Sequence, residues 1–140
     1  MRFAHPSASG TGHSRDTHPH DLAAEPLVTL ERRNDLDPTV VEDVVCGCVG
    51  PVGEQGPNIG RLAPMVVRWD DGVPGVQLNR MCGSGQEAVN VAAGKIRGGL
   101  GDVLVAGGVE HMTRVPLGPG RRGWTLRRPG GRRRNGRRSV

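Results

Sequence analysis

The sequence predicts an α/β fold built on a mostly parallel sheet with right-handed crossovers. Segments of helical period alternate three times with short β-branched or apolar runs. Gly, Pro and Asp cluster at the joins between them. The last run, "GDVLVAGGVE" at 101–110, is apolar almost throughout, as in strands covered on both faces.

Each element has its own signal. Residues 1–19, "MRFAHPSASGTGHSRDTHP", have no hydrophobic period and read as loop or disorder. "HDLAAEPLVTLERRNDLDP" reads as a helix with Asp21 as N-cap. Leu22, Pro26, Leu27 and Leu30 fall on one face, and Asn34 and Pro38 close it. Pro26, one turn in, predicts a kink or a late start. "TVVEDVVCGCV" is β-branched and reads as a strand centred on 43–49, ended by Gly50-Pro51. "PNIGRLAPMVVRWDDG" reads as a weaker helix, with Pro57 near its start and a turn at Asp70-Asp71-Gly72.

"GVQLNRMC" is a short buried-strand candidate. "SGQEAVNVAAGKIRGG" carries the strongest helical period, with Ala88, Ala92 and Ile96 every four residues. Gly98-Gly99 ends it, and the 101–110 strand follows. Residues 118–140 hold nine Arg, six Gly and two Pro in 23 positions, a composition unable to bury a face, and read as disordered.

The chain has 140 residues and a net charge of +5, enough for one ordinary domain. That charge conceals two parts. Residues 1–113 carry nine Lys or Arg against fourteen Asp or Glu, a net of −5. Residues 114–140 carry ten Arg and no acid. An acidic body therefore carries a basic tail. No apolar run approaches the ~20 residues of a membrane helix, and no secretory signal opens the chain. Cys46, Cys48 and Cys82 are odd in number and lack framework spacing. This points to a reducing, cytoplasmic setting. His5, His13, His18 and His20 fit no metal-ligand template and read as solvated loop histidines, so no metal is expected. Cys46 and Cys48 form a C-x-C without further ligands and read as strand packing.

The stretch "NRMCGSGQEA" at 79–88 carries the chemistry. "GSGQEA" is a G-x-G-x-x-A opening a helix, with Asp102 about twenty residues on, as in a dinucleotide fingerprint. The match falls on the third strand, and Asp102 stands at the start of the next strand instead of its end, which weakens it. The alternative is a nucleophile. A residue ending a strand that turns into a helix lies at the carboxyl edge of the sheet, where ligands bind. Helix-start amides favour a thiolate and suit a developing oxyanion. Position alone does not separate an exposed nucleophile at Cys82 from a buried, inert thiol.

Residues 76–116, "VQLNRMCGSGQEAVNVAAGKIRGGLGDVLVAGGVEHMTRVP", resemble the thiolase segment that holds the acyl-accepting cysteine. The "NRxCGSG" start, the Ala-rich helix and "AGGVExM" stand in register. Upstream, "HDLAAEPL", "ERRNDLDP" and "VEDVVCGCV" resemble the preceding family helix and strand, so the resemblance spans about 20–117. It implies a partial thiolase-like N-terminal half, helices on both faces of the sheet, and disordered ends. Cys82 matches the family nucleophile, and its backbone N–H one oxyanion donor. The implied activity is acyl transfer between CoA thioesters, forming or cleaving a 3-ketoacyl-CoA. Acyl-CoA and CoA are the expected partners and no cofactor is implied. The full-length family implies a homo-oligomer.

The resemblance also implies a longer protein of two similar halves. The activating histidines and a second, acid–base cysteine lie in the other half. A loop domain that grips CoA would begin near Pro116, where the arginine tail stands. A family strand ahead of the first helix has no apolar counterpart in "MRFAHPSASG", and its loss from mid-sheet would leave neighbouring strands unpaired. These departures suggest a truncated or out-of-frame coding region with little turnover. Two other classes remain: a non-catalytic assembly piece, and a nucleic-acid binder using the ten tail arginines with salt-dependent affinity. The tail's single aromatic, Trp124, and the acidic body argue against specific nucleic-acid binding.

Overall fold

A computed structural model describes residues 15–117. Of the loop or disorder expected over 1–19 and 118–140, residues 1–14 and 118–140 lie outside the described residues, as does the region expected to lack a family strand, whereas Pro19 belongs to the first helix. Residues 15–18 form a turn that leads into the first helix.

The elements alternate as the period predicts: α1 (Pro19–Asn34), β1 (Asp43–Gly47), α2 (Ile59–Val66), β2 (Gly75–Leu78), α3 (Ser84–Arg97) and β3 (Leu104–Gly108). The sheet is parallel in the order β2-β1-β3, with Val45 opposite Val76 on one side and Ala106 on the other. β1 is therefore the central strand and is paired on both edges. The gap expected in mid-sheet does not occur, because β1 and β3 hydrogen-bond directly.

All five residues of β1 are buried, and successive side chains face opposite layers. Val44 and Cys46 join Leu27, Ile59, Ala63 and Trp69 in the core under α1 and α2. Val45 packs with Ala88 and Ala92 of α3 on the other face. Helices thus cover both faces of the sheet. Of the expected α3 stripe, Ala88 and Ala92 are buried, whereas Ile96 is 44% exposed. β2 and β3 are also less buried than their apolar sequences predict. They are the two outer strands of this sheet, so only β1 is enclosed on every side.

α1 starts three residues before the position expected for its first helical turn. His18, not Asp21, is the N-cap, its Nδ1 accepting from the His20 N–H at 3.2 Å. Pro19 at the first helical position is the signal that competes with Asp21, since it has no N–H to cap. Asp21 in the first turn and Arg32 and Arg33 in the last complement the helix dipole. Pro26 lies inside α1 on its exposed side, so the helix runs through it. Leu27 and Ala24 carry the buried face instead. The indole of Trp69 donates to Glu31 at 2.8 Å and ties the α2 exit to α1. The expected turn at Asp70–Gly72 closes through the Gly72 N–H on Asp70 Oδ1, 2.6 Å.

α2 lies close to the sheet because Gly60 has no side chain. A Cβ there would sit 2.6 Å from the Val76 carbonyl oxygen. None of the helices among the described residues is long and apolar enough to cross a membrane.

Candidate functional site

The chain leaves β1 outward to β2, then returns across β1 to β3. The reversal places a crevice between the carboxyl ends of β1 and β3, the usual ligand position in open α/β sheets. A cleft of ≈ 290 Å³ lies there. Gly47 and Val49 line it from β1 and its exit, and Gly108, Val109 and Glu110 from β3 and its exit. Met81, Cys82, Ser84 and Gly85 line it from the β2–α3 turn and the start of α3.

Cys82 is exposed and free, one residue before the α3 N-cap, Gly83. Of the two placements left open by position alone, the exposed one is observed, at a helix start. Cys46 and Cys48 are buried. Burial, with Cys48 nearby, pushes the Cys46 thiol up to about 12. Burial and the Glu110 carboxylate push Cys48 up to about 11. Both are held as thiols at neutral pH, which leaves Cys82 as the accessible sulfur of the three.

The turn carrying Cys82 is built by its neighbours. Met81 stands at φ 50, in the left-handed region, a conformation that costs a non-glycine residue about 1 kcal/mol or more. Its N–H donates to Asn79 Oδ1 at 2.9 Å. Its carbonyl accepts from the Ser84 N–H at 3.0 Å and from the Ser84 hydroxyl at 2.6 Å. Ser84 Oγ also accepts the Arg80 N–H at 2.9 Å. Asn79 Nδ2 donates to the Val49 carbonyl at 2.8 Å, joining this turn to the exit of β1. Arg80 pairs with Glu87 in the first turn of α3.

The opposite wall is held by Glu110. Its Oε2 accepts from the Val49 N–H at 2.7 Å and the Gly50 N–H at 3.3 Å. Its Oε1 accepts from Gln55 Nε2 at 3.1 Å. Gln55 is fully buried and accepts the His111 N–H at 2.6 Å. The His111 ring, also buried, meets the Thr17 carbonyl through Nε2 at 3.0 Å and the Thr113 hydroxyl through Nδ1 at 3.0 Å. The carbonyl can only accept, so Nε2 carries the proton of that contact.

Nothing in the local sequence pattern announces this network, whose partners stand 55 to 61 residues apart. Asn79 and Ser84 lie within the motif "NRMCGSGQEA". Their type was the available signal, since Asn and Ser recur where side chains close turns.

Asp102 lies at the amino end of β3, with its N–H on Glu42, at the far edge of the sheet from the cleft. The dinucleotide reading therefore has its glycines in the right local context but its acid at the wrong end of the strand. His18 and His20 belong to α1 and its cap instead of a solvated loop. Their ring centroids are 4.4 Å apart, and burial, with His18 beside it, holds His20 below the usual imidazole range. His5 and His13 lie outside the described residues. Among the described residues no three His, Cys, Asp or Glu side chains group as metal ligands.

Residues 4–131 match the thiolase N-terminal domain family. Over 100 residues, 71% of this chain and 25% of the relative, the chain is 44% identical to a steroid 3-ketoacyl-CoA thiolase of Mycobacterium tuberculosis. Over 98 residues, 69% of this chain and 24% of the relative, it is 45% identical to a 3-oxoadipyl-CoA/3-oxo-5,6-dehydrosuberyl-CoA thiolase of Escherichia coli. The crystal structure of the Bacillus anthracis acetyl-CoA acetyltransferase superposes with a TM-score of 0.71 and 30% identity, over 86% of this chain and 30% of that one. The chain spans about a quarter of the length of these curated relatives.

Proposed function

Because the chain belongs to the thiolase N-terminal domain family, we propose that it carries the acyl-accepting half of a CoA-dependent C-acyltransferase, with Cys82 as the nucleophile. The observation that carries this reading is the exposed Cys82 sulfur at the mouth of α3, in the cleft between the ends of β1 and β3.

The Cys82 thiolate attacks the carbonyl carbon of an acyl-CoA. The tetrahedral oxyanion is held by helix-start amides, among them the N–H of Cys82 itself. The C–S bond to CoA breaks, CoA leaves as its thiolate and takes up a proton, and an acyl-cysteine remains. In the second step the acyl group passes to a carbanion of another acyl-CoA, giving a 3-ketoacyl-CoA, or to free CoA. In either case the Cys82 thiolate is regenerated. Every bond change is an exchange at a thioester or a carbon–carbon bond formation, so the balance needs no metal or redox cofactor.

The second step needs a general base at the acceptor. No histidine or second cysteine lines the cleft among the described residues, and the Glu110 carboxylate there already accepts from Val49, Gly50, Gln55 and the Cys48 thiol. The 140-residue chain is thus expected to stop at the acyl-enzyme. Residues 20–117 form the thiolase-like unit in this reading, the family's homo-oligomeric association applies to the complete protein, and the free thiols suit the cytoplasm.

The test is incubation with acetyl-CoA while free CoA is quantified. The reading expects a single burst, stoichiometric with the chain, that Cys82→Ala abolishes. A wild-type chain that releases no CoA, or a burst that survives in Cys82→Ala, would overturn it.

A further inference from the structure

Met81 is 71% exposed, so its left-handed backbone is not held by packing of its side chain. It is held by two neighbours. Ser84 is 3% exposed, and its hydroxyl bridges the turn: the single O–H donates to the Met81 carbonyl, and the oxygen accepts the Arg80 N–H. Asn79 takes the Met81 N–H and fastens the turn to the exit of β1 through Val49. We propose that Ser84 is a positioning residue for Cys82, its hydroxyl locking the Met81 turn so that the sulfur meets an incoming thioester and the helix-start amides in one geometry. The proposal rests on the reading of Cys82 as acyl acceptor.

The expected consequence separates accuracy of placement from mere exposure. Acyl transfer from a CoA thioester depends on alignment of sulfur, carbonyl and oxyanion donors, where a displacement near 1 Å costs on the order of a hundredfold. Alkylation by a small reagent depends on thiolate content and access. With the hydroxyl removed, the Arg80 N–H and the Met81 carbonyl lose a partner and Met81 relaxes toward an ordinary backbone conformation. Glycine at 81 occupies the left-handed region without side-chain strain and lowers the need for the lock.

The experiment uses the full 140-residue chain. Rates of Cys82 acetylation by acetyl-CoA and of alkylation by iodoacetamide are compared in wild type, Ser84→Ala and the double variant Ser84→Ala/Met81→Gly. Ser84→Ala is expected to slow acetylation by about ten- to a hundredfold while alkylation stays close to wild type. The double variant is expected to recover much of the loss. Asn79→Ala, at an exposed position, tests the same lock should Ser84→Ala fail to fold, and is expected to slow acetylation in the same selective way. Wild-type acetylation rates in Ser84→Ala, or both reactions falling together with no recovery from Met81→Gly, would overturn the proposal. A wild-type chain that is not acetylated defeats the reading of Cys82 itself. The lock is then judged from the Met81 Cα chemical shift, which Ser84→Ala must move and which, unmoved, refutes it.

Discussion

Gly47, the last residue of β1, and Ser84, the first of α3, meet backbone to backbone. A Cβ on Gly47 would lie 2.5 Å from the Ser84 carbonyl carbon and 2.7 Å from the Gly85 nitrogen. Nothing but hydrogen fits between them. The contact sets how near the helix start comes to the central strand, and so where the cleft beside Cys82 opens.

Gly47→Ala is therefore expected to force the start of α3 away from β1. Overpacking of this kind costs about 1–3 kcal/mol, read as a lowered midpoint in chemical denaturation. Cys82 acetylation is expected to fall further than the stability loss alone accounts for. An alanine variant with wild-type stability and acetylation would show that the two backbones can separate without consequence.

The three thiols are expected to separate by pH and fold. Cys46 and Cys48 are pushed up to about 12 and about 11 by burial, reinforced by their neighbours, against an ordinary value of 9.0. Iodoacetamide at neutral pH should modify Cys82 alone in the folded chain and all three in denaturant. The unfolded thiols ionise from about pH 9 upward while the folded ones keep their protons, so the unfolded state binds fewer protons in this window. Stability is then lost as pH rises from about 9 toward 11–12. A melting temperature that is flat across this window, or native alkylation of Cys46 or Cys48 at neutral pH, would contradict the burial.

Much of the architecture was legible because it depends on local period. The alternation of helical and β-branched segments, the Asp70–Gly72 turn and the place of Cys82 between a strand and a Gly-rich helix start all follow from neighbours in sequence, whereas the exposure of Cys82 does not. Edge and centre were not legible. The apolar run at β3 looks like an enclosed strand, yet which strand is central depends on pairings between distant residues, and β1 took that place. The backbone of Met81 was equally hidden, since methionine has no preference for φ above zero and the cause lies in side chains two residues before and three after. The expected N-cap at Asp21 failed because Pro19 opened the helix earlier.

Glu110→Ala probes the wall that the sequence did not reveal. It leaves the Val49 and Gly50 amides and the Gln55 side chain without their carboxylate. The expected loss is about 2 kcal/mol, with faster hydrogen exchange at Val49 and Gly50. Exchange unchanged at both amides would show that water replaces the carboxylate without cost.

The account stands on Cys82 as the atom that receives an acyl group, and peptide mapping after incubation with acetyl-CoA tests that most directly. Cleavage after Arg80 and Lys95 releases residues 81–95, a peptide in which Cys82 is the sole cysteine. The account predicts one acetyl group on that peptide, bound to sulfur and removed by hydroxylamine. Acetylation confined to other peptides, or an unmodified Met81–Lys95 peptide after CoA release, would contradict it.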